Sequence, residues 1–233
     1  MIQRRHGDRG QAFPIYIVMV ASLLFLAFAF FTVGKASAVR NGAQGAADAA
    51  ALAAAQEARD EMGTGFLAAL LLPGGLDDFF EGNGRFSNGG PCAQARVLAE
   101  KNRAEVRSIG GGPGCFPRLG FLRDEFTVEV RTRYTVGKSV LPGTEEQHAT
   151  ARAKAVVEFR CLLPEPEPEP GDSDAPGGGA DGGTGDGKDE DDTPRPIDFT
   201  CHGGRQVTID PTEPGAWLDL SKILFTVHLV DAD

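Results

Sequence analysis

FPIYIVMVASLLFLAFAFFTV, residues Phe13 to Val33, contains no charged residue, and the reading of this run decides the rest of the chain. As an α-helix rising about 1.5 Å per residue it covers roughly the 30 Å of a bilayer's hydrocarbon core, which predicts one transmembrane helix. Pro14 is compatible with it, because in a first helical turn its missing N–H leaves no intrahelical bond unmade. Arg4, Arg5 and Arg9 precede the run, and Lys35 and Arg40 follow it. That bias favours a cytoplasmic N-terminus. Everything with the pattern of a folded domain lies after the helix, so residues 1–12 read as a cytoplasmic tail and the remainder as exported. The competing reading is a cleaved signal peptide, since Ala36-Ser37-Ala38 has the small-x-small form a signal peptidase accepts. Signal-peptide apolar cores run to about 7 to 15 residues, shorter than this one.

The formal net charge of the 233 residues is −10, yet it is confined to one segment. Between Glu165 and Asp198 twelve acids stand against Lys188 and Arg195, and elsewhere acids and bases balance. The acidity is therefore not a property of the folded surface, and no basic patch points to nucleic acid. Residues 164–198, PEPEPEP followed by Gly and Asp in abundance, form an extended, charge-swollen insertion by composition. Its aspartates fit neither an EF-hand loop nor a Gly-Gly-x-Gly-x-Asp repeat.

Cys92, Cys115, Cys161 and Cys201 are an even set in a segment already placed outside the cytoplasm, where disulfides persist. Three connectivities are possible. Pairing Cys92 with Cys115 and Cys161 with Cys201 is preferred, because each pair then ties the ends of a Gly-rich or acidic loop. The spacings match no zinc pattern, and no metal, cofactor or catalytic residue is expected. His148 has Glu145 and Glu146 near it in sequence, but no nucleophile or oxyanion site accompanies them. The Gly110-Gly111-Gly112-Pro113-Gly114 run lacks the Lys-Ser or Lys-Thr of a phosphate loop.

Beyond Val33 the helix is expected to continue. Residues 34–62, GKASAVRNGAQGAADAAALAAAQEARDEM, have no proline and are dominated by the best helix former, with Gly34, Gly42 and Gly45 each costing about 1 kcal/mol against alanine. A rod from Phe13 to Met62 would be about 75 Å long. Phe66 to Leu72 reads as a separate short apolar helix capped by Thr64 and ended by Pro73, with Leu76, Phe79 and Phe80 extending its surface. Cys92 to Ile109 has helical spacing, with Arg96–Glu100 and Lys101–Glu105 pairs on its polar side. From Glu125 the period becomes two: Phe126, Val128, Val130, Tyr134 and Val136 share a face, and Ala153, Ala155, Val157 and Phe159 do so in a second strand, Arg152 to Cys161. With Val207–Ile209 and Leu224–Val230 this predicts a four-stranded antiparallel sheet, one face on helices and one in water. Pro142-Gly143 is placed at the hairpin turn, Pro211 to Gly215 at another, and Trp217 and Leu220 in the core.

Gln44-Gly45-Ala46-Ala47-Asp48-Ala49-Ala50-Ala51-Leu52-Ala53-Ala54-Ala55, soon after a single membrane helix with Arg9-Gly10-Gln11 before it, resembles the TadE/TadG-like proteins of the tight adherence (Flp-type) pilus system. The resemblance covers about the first 60 residues. It implies a membrane-anchored minor pilin-like or assembly protein of a bacterial surface fibre, with Gln44, Ala46, Ala47, Asp48, Ala49, Ala50, Ala51 and Leu52 as the family motif. The Asp-x-Ser-x-Ser metal motif of longer members is missing, so metal-dependent adhesion is not carried over. Ile15 stands where prepilins carry Glu five residues after their cleaved Gly, which speaks against prepilin processing. Physically, alanine at nearly every position lets another backbone come close: either a neighbouring subunit in a fibre or this chain's own sheet.

The expectation is thus an α+β protein: helix 13–33 in the bilayer, an exported domain over 34–163 and 199–233 with a small antiparallel sheet packed on helices, and an acidic insertion between. This is the layout of pilin-like proteins. Its expected seat is the bacterial cytoplasmic membrane, as a single-pass protein with an extracytoplasmic C-terminal domain. Expected partners are the lipid bilayer and other pilus-assembly membrane proteins, with no small-molecule substrate and no catalysis. The alternative is a membrane-anchored module that binds a glycan or protein ligand.

Overall fold

The computed structural model describes residues 12–72, 75–81, 89–137, 143, 145–162, 196–210 and 217–232. The tail before Ala12, Pro73, Pro142, the acidic run 163–195, the Pro211–Gly215 turn and the Trp217 side chain lie outside what is described.

One helix dominates. α1 (Ala12–Leu70) is unbroken over 59 residues, about 88 Å. The separate helix expected from Phe66 is its last turn instead. Ala58, Met62 and Phe66 follow one another at i, i+4 on a single buried face, and Gly63 and Gly65 are accommodated because other elements press on them. A Cβ at Gly63 would lie 2.6 Å from the Ser221 Cβ, and one at Gly65 3.2 Å from the Phe79 ring. After α1 come α2 (Gly75–Phe80), α3 (Gly90–Lys101), and the strands β1 (Ala104–Val106), β2 (Cys115–Arg118), β3 (Arg123–Thr135) and β4 (His148–Phe159). β5 (Ile197–Cys201), β6 (Arg205–Ile209), α4 (Trp217–Leu224) and β7 (Phe225–Val230) complete the chain.

The protein is α+β, as the sequence predicts, with an antiparallel sheet on helices. The sheet has five strands where four were expected. Its order is β1-β3-β4-β7, with β2 also paired to β3, so that β1 and β2 share one edge. Val207–Ile209 does not join it: β6 pairs only with β5, in a two-stranded sheet attached to the end of β4 by the Cys161–Cys201 bridge. β5 begins at Ile197, inside the stretch that composition assigns to the acidic insertion.

The helix expected over Cys92–Ile109 stops at Lys101. The Asn102 backbone N–H and its side-chain Nδ2 both donate to the Leu98 carbonyl, closing the last turn. Arg103 then takes a left-handed conformation (φ 57°), and Ala104 and Val106 pair with Thr132 and Val130. Consequently Glu105 pairs with Arg107 and not Lys101, while Glu100 pairs with Arg133. β2 escapes a periodicity search because it is short and contains Pro117, which an edge strand tolerates.

α1 lies between the sheet on one side and α2, α3 and α4 on the others. Ala46, Ala47, Ala50, Ala51, Ala54, Ala55 and Ala58 are all at most 1% exposed, across about half the circumference at 100° per residue. That arc is wider than the roughly 100° stripe of a helix covered on one side. At the far end Phe66 is ringed by Phe79, Phe80, Phe159, Phe199 and Phe225, with centroids 5.6 to 6.2 Å away. Those five come from α2, β4, β5 and β7, so one aromatic side chain joins both sheets to the helix.

Candidate functional site

Two features of α1 set this molecule apart from an ordinary helix-on-sheet domain. From Phe13 to Ala38 no side chain is buried, although Phe13, Phe25, Phe28, Phe30 and Phe31 are among them; the first buried residue is Val39. The segment is long and apolar enough to cross a membrane, and its apolar window makes no contact that removes it from the surroundings. In water such a rod would leave an apolar surface far larger than soluble proteins tolerate. Lys35 lies over the Phe31 ring at 5.6 Å, closing the apolar run with a cation.

The second feature is the way the head grips the helix. Of the motif residues, Ala46, Ala47, Ala50 and Ala51 are buried, Asp48, Ala49 and Leu52 are half-buried, and Gln44 is exposed. Gln44 Nε2 donates to Asp48 Oδ1 at 2.8 Å and reaches the Arg152 carbonyl at 3.5 Å, fastening the helix to β4 where the head begins. The close approach that alanine permits is thus used inside the molecule, by the chain's own sheet and α3. A shallow cleft between α1 and α3, lined by the half-buried Ala49 and Leu52 and the exposed Gln56, leaves part of the motif partly open to solvent.

Gly42 shows how tight the grip is. Tyr134 Oη lies 2.0 Å from where a Cβ would stand, and Arg103 stacks on the other side of that tyrosine at 5.1 Å. Because Tyr134 meets Gly42 while Phe159 meets Phe66, β4 runs alongside α1 in the same direction. The hairpin end of the sheet therefore faces the rod, and the Phe cluster marks the opposite pole. The structure joins Cys92 to Cys115, bridging α3 to β2, and Cys161 to Cys201, bridging the segment just after β4 to β5. The second bridge closes the chain across residues 163–195.

A buried carboxylate is paired with an exposed arginine. Alternation puts Glu129 on the solvent face of β3, yet it is 3% exposed, because the loop after β1 folds over it. Burial alone would raise its pKa. The Ile109 N–H, which donates at 2.6 Å, and Arg152, whose Nε and Nη2 both donate to Oε1, outweigh that and hold the carboxyl below its ordinary value. The β3–β4 register, which strand periodicity does not fix, sets Glu129 opposite Arg152. Among the described residues no group of three or more His, Cys, Asp or Glu is placed to hold a metal ion.

Residues 10–57 match the Tad family model, described as "putative Flp pilus-assembly TadE/G-like". The matched segment takes in the whole exposed rod and the buried alanine neck, and ends before the Phe cluster. No curated protein and no solved structure matches the chain. The resemblance on Gln44–Ala55 thus coincides with the family match.

Proposed function

We propose that this protein is a membrane-anchored, non-catalytic subunit or assembly factor of a Tad/Flp-type surface pilus, similar to a minor pilin. The observation that carries it is the coincidence of the family match with one physical unit. Residues 10–57 comprise a bare apolar rod and the neck by which a head is mounted on it. A continuous helix links the two: 59 residues run unbroken, with no proline after Pro14. Such a piece suits an assembly in which lipid first covers the rod and other membrane components then pack around it. In this reading the N-terminal tail is cytoplasmic, the helix crosses the cytoplasmic membrane, and the head with its acidic insertion is extracytoplasmic. The four cysteines fit an oxidising compartment.

The test is genetic and biochemical together. Deleting the gene is expected to abolish surface fibres, and the full chain to restore them. A chain whose rod carries Leu23→Lys and Phe28→Lys is expected to leave the membrane fraction and to restore none. Unchanged fibres in the deletion strain would overturn the assembly role, and recovery of the native protein only from the soluble fraction would overturn the anchor.

A further inference from the structure

Where the loop after β1 folds back over the sheet, a groove opens between that loop and strands β3 and β4. Arg107, Arg131 and His148 converge on it, with Ser108 and Thr150 between them and the exposed Glu146 also in its lining. The state of each charge matters. Glu129, beneath the loop, is committed to Arg152 and the Ile109 N–H. Arg107 is tied only to Glu105, at 3.4 Å on the surface, a pairing of the kind that contributes little. Arg131 makes no side-chain hydrogen bond or ion pair among the described residues. His148 is oriented by the Thr132 carbonyl, 2.6 Å from Nδ1; a carbonyl only accepts, so Nδ1 carries the proton and Nε2 of the neutral ring is an acceptor. Ser108 Oγ is buried beside the Glu129 carboxylate and helps to hold its pKa down.

We propose that this groove is an anion site, taking a phosphate or carboxylate group on Arg131 with Arg107 flanking it. A guanidinium with no side-chain partner among the described residues offers its planar fork to two oxygens of such a group. Arg107 can turn from Glu105 to add a second, and Ser108 and Thr150 are among the residues that line the groove. Glu146 opposes the anion and sets a limit on its affinity. The groove lies level with Gly42 to Gln44, about 13 to 17 Å past Val33 along the helix. Anions of this class reach that height either as lipid headgroup phosphates or as free or polymer-borne anions. The site stands independently of the pilus reading.

The experiment is a titration of the detergent-solubilised full chain with sodium phosphate, followed by amide NMR against a chloride series of equal ionic strength. Saturable shifts are expected at Arg107, Ser108, Arg131 and Thr150. Arg131→Gln should weaken them by about tenfold or more, and Glu146→Gln should tighten them. A second arm places the protein in nanodiscs of phosphatidylglycerol or of phosphatidylcholine without phosphate. Shifts at the same amides in phosphatidylglycerol alone, lost in Arg131→Gln, identify the headgroup as the source, whereas shifts with soluble phosphate only identify a free anion. No saturable shift in either arm, or shifts indifferent to both substitutions, would overturn the site, whatever becomes of the fibre test.

Discussion

Gly42 and Gly45 are three residues apart in the same alanine-rich helix, and helix propensity treats them alike. Their surroundings do not. Nothing lies within 4 Å of a Cβ at Gly45, whereas one at Gly42 would strike the Tyr134 hydroxyl. Gly45→Ala is therefore expected to stabilise the protein by about 0.5–1 kcal/mol. Gly42→Ala is expected to destabilise it by about 1–3 kcal/mol, as Tyr134 and the Arg103 stacked on it are displaced. Thermal unfolding of the two variants in the same detergent checks the opposite signs. Glu129 makes a second prediction. Its folded-state pKa is depressed below 4.5, so the folded protein takes up that proton less readily than the unfolded chain. The stabilisation is present above that ordinary value and is lost as pH falls through the depressed one. Glu129→Gln should cost about 1–3 kcal/mol at neutral pH and show a smaller loss on acidification below pH 4.5, measured by urea unfolding across a pH series.

The elements depend on one another chiefly through Phe66. It is fully buried at the last turns of α1 and touches rings from α2, β4, β5 and β7. Phe66→Ala is expected to cost about 3–5 kcal/mol, because the surrounding rings belong to elements fixed elsewhere and cannot collapse into the space. The loss should appear as a lower unfolding midpoint, together with faster amide exchange in α2 and β5. The same cluster explains why a short-helix reading of Phe66–Leu72 failed. Gly63 and Gly65 weaken the local case for a helix, and only the packing of Ser221 and Phe79 against them shows why those glycines belong in one. The edge of the sheet is similar: Val106 and Ile109 fit helical spacing from Ala95 onward, yet Asn102 closes the turn and β3 claims the strand that follows.

In the molecule as a whole, burial starts abruptly at Val39. A chain beginning at Val39 is therefore expected to be soluble, monomeric and folded, with the melting temperature of the full chain and both disulfides formed. The full chain should stay with membranes or detergent. Far-UV circular dichroism, size exclusion and membrane flotation measure this pair of outcomes, and aggregation of the shorter chain would show that the rod supports the head. Full-chain fibre rescue that the Val39 chain cannot reproduce would tie the rod to assembly.

The sequence by itself determined the apolar rod, its continuation into an alanine-rich neck, the two long alternating strands and the likeness to TadE/TadG-like proteins. Each of these is a local pattern: a run, a period or a motif whose chemistry is complete within a few turns. Only the tertiary structure decided what the neck packs against, where α3 gives way to β1, that β5 and β6 stand apart from the main sheet, and that Glu129 is buried opposite Arg152 while Arg131 has no side-chain partner among the described residues. Those outcomes depend on which distant residue arrives within reach. Alanine, having almost no side chain to advertise a face, accepts a sheet or a helix on any side, and the choice is made by the rest of the fold.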